Sequence, residues 1–339
     1  MRLSLVFAFA LSACLAAQPA AQPAKFISFS AQPQILVNGS VCLFTVQVSG
    51  RPTSVTAKWL GHDVTFSQGV GDAWYALAGV PYDTKPASFA LELEADLPDG
   101  RALHESRQIT IQSARYKTTR LTVPQKYVTP DPETLKRIEA EKEIKSVAFA
   151  HFIPAPQWAG NFIAPVFTQV SENYGTSRTF NGQLASVHRG VDFRAPEGTP
   201  VHASNAGEVV LARELYYEGN CVVIDHGLGF MTLYLHLSKF EVTEGDHVGK
   251  DQTIALSGGT GRVTGPHLHM AVRWNGEYLD PLKLLALKLS RLGSVSGAGA
   301  SRGNPERSEG SLSRDVMWVV GDPAVFDLPT NLGDAFDNL

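Results

Sequence analysis

Four residues in two short segments carry side chains able to hold a metal. His188 and Asp192 lie four apart around Gly190, and His267 and His269 lie two apart. On a strand, positions 188, 190 and 192 share a face, and a glycine between the two ligands leaves space for a bound atom. A helix would also bring 188 and 192 together, but Gly190 and Val191 favour a strand. In the run His267 to Trp274, the residues Leu268, Met270, Val272 and Trp274 form one apolar face. His267 and His269 then stand side by side on the other, with Ala271 and Arg273. The run Met231 to Leu237 alternates likewise: Met231, Leu233, Leu235 and Leu237 face the core, and Thr232, Tyr234 and His236 the open side. Imidazoles and a carboxylate on facing walls are the nitrogen and oxygen ligands that zinc takes, and three of them with an open fourth position make a catalytic site.

Seven of the ten histidines fall between His188 and His269. A lone histidine on a strand is ordinarily a hydrogen-bonded surface or core residue. His62, His104, His151, His202 and His247 are read so, and His226, in Asp225-His226-Gly227, as the brace of a turn. The four residues His188, Asp192, His267 and His269 together are poorly explained as coincidence.

The elements that must position them follow from the rest of the chain. Its 339 residues, 44% apolar and 18% charged, are enough for about two globular domains. A net charge of −4 gives no nucleic-acid footprint, and three cysteines (Cys14, Cys42, Cys221) are too few for a disulfide scaffold. Arg2, the apolar run Leu3 to Leu11 and small residues after it read as an export signal, too short to span a bilayer. Leu11-Ser12-Ala13-Cys14 resembles a lipobox, which would make Cys14 an acylated membrane anchor; plain removal of the segment is the alternative.

From residue 26 to about 123, short alternating runs (Phe44, Val46, Val48; Phe89, Leu91, Leu93; Ile109, Ile111) are separated by the turn signals Asn38-Gly39, Gly69-Val70-Gly71 and Pro98-Asp99-Gly100. That spacing predicts an immunoglobulin-like sandwich. Residues 131–147 predict a charged connecting helix, with Glu133/Arg137 and Glu141/Lys145 at i,i+4 spacing as a solvated face. Strands with glycine turns return from Ile163 to about Leu285, and the Gly/Ser/Arg-rich stretch Gly293 to Arg314 has no core-forming pattern.

Four segments occur in order: His188-Arg189-Gly190-Val191-Asp192, Gly198-Thr199-Pro200-Val201, Tyr234-Leu235-His236-Leu237 and Gly265-Pro266-His267-Leu268-His269. With Gly258-Gly259-Thr260-Gly261 and Asp280-Pro281-Leu282 they closely resemble the lysostaphin/LytM-type zinc endopeptidases that cleave peptidoglycan cross-bridges, over about Phe162 to Leu285. The resemblance implies one zinc per chain held by His188, Asp192 and His269. It implies His267 and His236 as the catalytic pair, the first as general base and the second on the oxyanion. Asn173, Tyr174, Arg178 and Tyr234 become substrate-binding candidates in the groove. Many relatives have two adjacent arginines before Phe-Asn-Gly, where this chain reads Ser177-Arg178-Thr179-Phe180-Asn181-Gly182.

The expected chain is mostly β: a signal peptide or tether (1–25), an immunoglobulin-like sandwich (26–124) and a helical linker (125–161), then a LytM-type antiparallel β-sheet peptidase domain with an open groove (162–290) and a mostly disordered tail (291–339). The expected activity is zinc-dependent hydrolysis of peptidoglycan stem-peptide cross-links in the periplasm or cell envelope, at either a D-Ala–diamino acid bond or a glycine bridge. Two other readings compete. A non-catalytic regulator of cell-wall amidases with this fold should lack ligands, and here none is missing. A biotinyl- or lipoyl-type carrier, suggested by Val242 to Lys250, lacks a modifiable lysine at a hairpin tip and needs no histidines.

Overall fold

The computed structural model describes residues 23–69, 71–182 and 184–289. The export signal, Cys14 and the Gly/Ser/Arg-rich tail lie outside the described residues.

Two sheets make the N-terminal unit. One orders Phe26–Gln32, Val41–Val48, Ala73–Gly79 and Ser67–Gln68; the other orders Leu36–Val37, Ala102–Gln112, Ala87–Asp96, Ser54–Trp59 and His62–Thr65. Period-two patterning drives their facing: in Ser54–Trp59, Val55, Ala57 and Trp59 are buried while Thr56 and Lys58 are exposed. Trp59 closes the space between the sheets, edge-on to Phe44 at 5.4 Å, and its indole N–H donates to the Gly79 carbonyl.

The second unit is an antiparallel sheet in the order Val170–Glu172, Val191–Phe193, Leu268–Trp274, Phe230–Phe240, Gly219–Asp225, Gly207–Leu215 and His247–Val248. Both units share one hydrophobic core. At their junction a Cβ on Gly79 would stand 2.6 Å from the Trp274 ring and 2.7 Å from Leu279, so only glycine lets the units close to this distance.

Two features differ from expectation. The strand Thr118–Leu121 falls inside the expected 26–124 domain, yet it pairs in parallel with Ser177–Phe180, which in turn pairs with Leu184–Val187. Its partner is some sixty residues away, so no local pattern marks it. The connecting helix, Pro132–Phe149, is capped by Asp131, which accepts from the backbone N–H groups of Glu133 and Thr134. Its charged face is solvated at Glu133 and Arg137 but not at Glu141 and Lys145. Glu141 is buried and accepts from Arg137 Nε (2.6 Å) and the Tyr216 N–H (2.8 Å), and Lys145 pairs with buried Glu218 at 2.6 Å. The helix is therefore clamped onto the second unit, and in place of a Glu141/Lys145 pair each finds a partner there, Tyr216 and Glu218.

Candidate metal centre and its groove

Adjacent strands bring the ligand candidates together. Asp192 on Val191–Phe193 is directly opposite His269 on Leu268–Trp274. His188 is not on the same strand as Asp192: it sits in the bend before Val191, which folds its Nε2 to 3.0 Å from Asp192 Oδ1. Gly190 serves a purpose other than space for the bound atom. A Cβ there would stand 2.3 Å from His269 Nε2 and 2.4 Å from the Met270 carbonyl, so the missing side chain makes room for the His269 ring.

His188 Nε2, Asp192 Oδ1 and His269 Nδ1 form a small triangle with sides of 3.0, 2.9 and 3.0 Å. All three residues are buried. The His188 Nδ1–H donates to the Asn173 carbonyl at 3.0 Å, which leaves Nε2 with its lone pair toward a carboxylate oxygen and a second imidazole nitrogen. A single proton on His269 Nδ1 can bridge only one side of this triangle, whereas a cation between the three atoms satisfies all of them. The spacing fits zinc, since ligands ~2.0–2.1 Å from a tetrahedral ion are about 3.3 Å apart. Burial alone would raise the Asp192 carboxyl, but His188 and His269 hold it well below the usual carboxylate range. Burial pushes His269 down to about 4, against the pull of Asp192. Asp192 is thus held as an anion and His269 as a neutral imidazole, the forms that bind a metal.

His267 and His236 stand beside the triangle, ring centroids 4.9 Å apart. The Nδ1–H of His267 donates to the Gly265 carbonyl (2.8 Å) and that of His236 to the Thr260 carbonyl (2.9 Å). Each anchor leaves the Nε2 lone pair unspent, and His267 Nε2 lies 3.7 Å from Asp192 Oδ1. His236 is lowered well below the ordinary histidine value, first by burial and then by His267 and His269.

His236 reaches this place by a route that alternation does not predict. The cross-strand register sets Leu235 opposite His269 and Leu233 opposite Ala271, so the odd-numbered residues share the face of the metal ligands. At His236 the backbone turns to φ +64°, and Leu235 and His236 both line the cavity at the site. Tyr234 consequently points away. It is fully buried, its hydroxyl accepts the Ser204 N–H (2.8 Å) and lies 2.9 Å from Thr232 Oγ1, and it does not line the groove.

The other substrate candidates are placed differently from one another. The exposed Asn173 lines a cleft of about 840 Å³ that runs from His267 between Arg194 and residues 115–119. Tyr174 is buried, with its hydroxyl donating to the Tyr278 carbonyl at 2.7 Å. Arg178 is spent on carboxylates: one nitrogen bonds both Glu172 and, at 2.8 Å, Asp192 Oδ2. It orients a metal ligand, leaving that carboxylate's other oxygen for the triangle. Residues absent from the sequence reading also take part. Leu121 and Val123, just before the connecting helix, and Arg262 line the cavity of about 90 Å³ that contains His236, His267 and His269. The anchoring carbonyls of Asn173, Thr260 and Gly265 are backbone groups, which leave no mark in side-chain chemistry.

Residues 186–281 match the model of peptidase family M23. The chain is similar to the peptidoglycan DD-endopeptidase ShyA of Vibrio cholerae, 52% identical over 116 residues that make up 34% of this chain and 27% of that protein. It is also similar to the DD-carboxypeptidase/endopeptidase Mpg of Neisseria meningitidis, 40% identical over 119 residues, 35% of this chain and 27% of that one. The chain thus spans about a quarter of the length of these curated relatives. A solved structure described as a peptidase M23 from Pseudomonas aeruginosa is 30% identical, with a TM-score of 0.56, over 74% of this chain and 94% of its own.

Proposed function

The chain belongs to peptidase family M23, and from that premise we propose that it is a zinc-dependent endopeptidase that hydrolyses peptide cross-links of peptidoglycan outside the cytoplasm. One observation carries this reading: three lone pairs converge between buried His188, Asp192 and His269, next to two histidines whose free nitrogens border the same cavity. The names of the relatives, DD-endopeptidases of peptidoglycan among them, support the substrate class. An envelope enzyme agrees with the export signal read over the first residues, and Cys14 as a lipid anchor belongs to the same proposal.

Zinc at such a site supplies Lewis-acid polarisation of a peptide carbonyl and brings the pKa of water toward ~7. The protein's own groups do the rest. His188 through Nε2, Asp192 through Oδ1 and His269 through Nδ1 would hold the ion, and Asn173 and Arg178 fix the first two in orientation. His267, more open than His236, takes the water's proton at Nε2 and returns it to the leaving amine; its Gly265 anchor keeps that nitrogen in the acceptor tautomer. Stabilising an oxyanion through His236 would require a proton on its Nε2. The Thr260 anchor and burial both oppose that, so His236 fits better as a second acceptor that orients the water.

The test is to incubate the zinc-loaded chain with purified cross-linked muropeptides and read the products by mass. Cross-linked dimers should become monomers, and a chelator or His267→Ala should stop this, the latter by ~10²–10⁴-fold with zinc retained. Dimers surviving prolonged incubation with a fully loaded protein would refute the proposal.

A further inference from the structure

We propose that Arg262 is a carboxylate receptor, through which the groove recognises a free carboxylate on the carbon next to the scissile peptide nitrogen. The inference rests on the peptidase reading and names the kind of cross-link that is cut.

The guanidinium of Arg262 lies between two rings, 4.7 Å from the centroid of Phe180 and 4.6 Å from that of Tyr217. Its Nη1 is buried with no hydrogen-bond partner among the described residues. The acidic groups nearby are already engaged: Glu172 and Asp192 by Arg178, and Glu218 by Lys145. Arg262 is therefore a half-buried cation steadied by aromatic faces, with one buried nitrogen left without a hydrogen-bond partner. Such a charge costs free energy unless a ligand completes it.

Position defines that ligand. Arg262 lines the same cavity as His236, His267, His269 and Asp192, with Leu121 and Val123 on its wall. About 90 Å³ is room for about three water molecules at ~30 Å³ each. That accommodates a carboxylate with the carbon bearing it. A planar guanidinium matches the two oxygens of such a group. Where D-alanine is joined to the amine of a diamino acid, the carbon holding that amine also holds a free carboxylate, two bonds from the scissile nitrogen. The interior of a glycine bridge has none. The receptor thus favours the first kind of cross-link.

The experiment uses the full zinc-loaded chain and three substrates: a cross-linked stem-peptide dimer with that carboxylate free, the same dimer with it amidated, and a pentaglycine-bridged peptide. The wild type should favour the free acid about tenfold or more, chiefly through KM, as expected for one charge-assisted contact. Arg262→Gln should cut acid and amide at one rate, with zinc content unchanged, and Arg262→Lys should keep only part of the preference. Equal rates on acid and amide by the wild type, or a preference that survives in Arg262→Gln, would overturn the assignment. Should the Gln variant not fold, the Lys variant decides, because an unchanged acid-to-amide ratio there also overturns it. If the wild type cuts no substrate, the peptidase reading fails by itself. Calorimetric binding of the stem tripeptide, as acid and as amide, then decides the receptor: tighter binding of the acid by the wild type alone supports it, and equal binding rejects it.

Discussion

His188 Nε2 and His269 Nδ1 face each other at 3.0 Å, although the Nδ1 proton of His188 is committed to the Asn173 carbonyl. A proton on His269 Nδ1 satisfies Asp192 or His188 but not both, whereas a cation between the three atoms satisfies all of them, so metal binding adds directly to local stability here. Asp192→Asn keeps the shape and removes the anion, and His188→Ala removes a ligand. Both should lose most of the roughly one equivalent of zinc in elemental analysis while the sheet persists in circular dichroism. Full occupancy in both variants would show that the ion is held elsewhere.

Gly190 provides a sharper test, because it touches no substrate. A methyl group there would stand 2.3 Å from His269 Nε2 and 2.4 Å from a backbone oxygen, so neither neighbour can yield cheaply. Gly190→Ala should displace the His269 ring and weaken zinc binding at least tenfold, as losing a ligand's support does. Competition with a chromophoric chelator measures this, and wild-type affinity would mean that the ring has another way to sit.

What could be read in advance follows from the range of each interaction. His188, Asp192, His267 and His269 stand out in sequence because chemistry needs those residue types at close spacing, and the structure draws them within a few ångströms. Strand alternation was less informative. It put Leu235 inward and Tyr234 outward, and the register with His269 reverses both, because His236 enters the site through a left-handed residue that no hydropathy pattern encodes. The strand Thr118–Leu121 and the clamps on Glu141 and Lys145 depend on partners some sixty to seventy-five residues away, beyond any local signal. Arg262 is legible only once its lack of a counter-ion is visible.

Acid sensitivity should arise partly away from the active site. His226 is fully buried, its Nδ1–H donates to the Ala206 carbonyl, and burial pushes it down to about 4 from the ordinary 6.5. Below pH ~6.5 the unfolded chain takes up a proton that the folded chain refuses. Stability from this group is therefore full above 6.5 and declines as pH falls toward 4, by up to about 3 kcal/mol. Denaturant melts from pH 7 to 4 should show that slope, and His226→Asn, though weaker at pH 7, should flatten it. A variant with the wild-type slope would assign the sensitivity to other groups.

The connecting helix should matter to turnover as well as to stability. Lys145 neutralises Glu218, which is 3% exposed, and the Glu218 backbone carbonyl accepts the N–H of His236 at 3.0 Å. Lys145→Ala leaves a buried carboxylate uncompensated, a loss of about 3 kcal/mol or more, which for a domain of this size lowers the melting temperature by roughly 5–10 °C. The residue carrying His236's backbone anchor then shifts toward water, and His236 moves with it. Turnover should fall while zinc stays bound, since no metal ligand touches this pair. Adding Glu218→Gln should recover much of the stability by removing the stranded charge. If Lys145→Ala melts like the wild type, the helix is only a tether and the coupling to His236 does not exist.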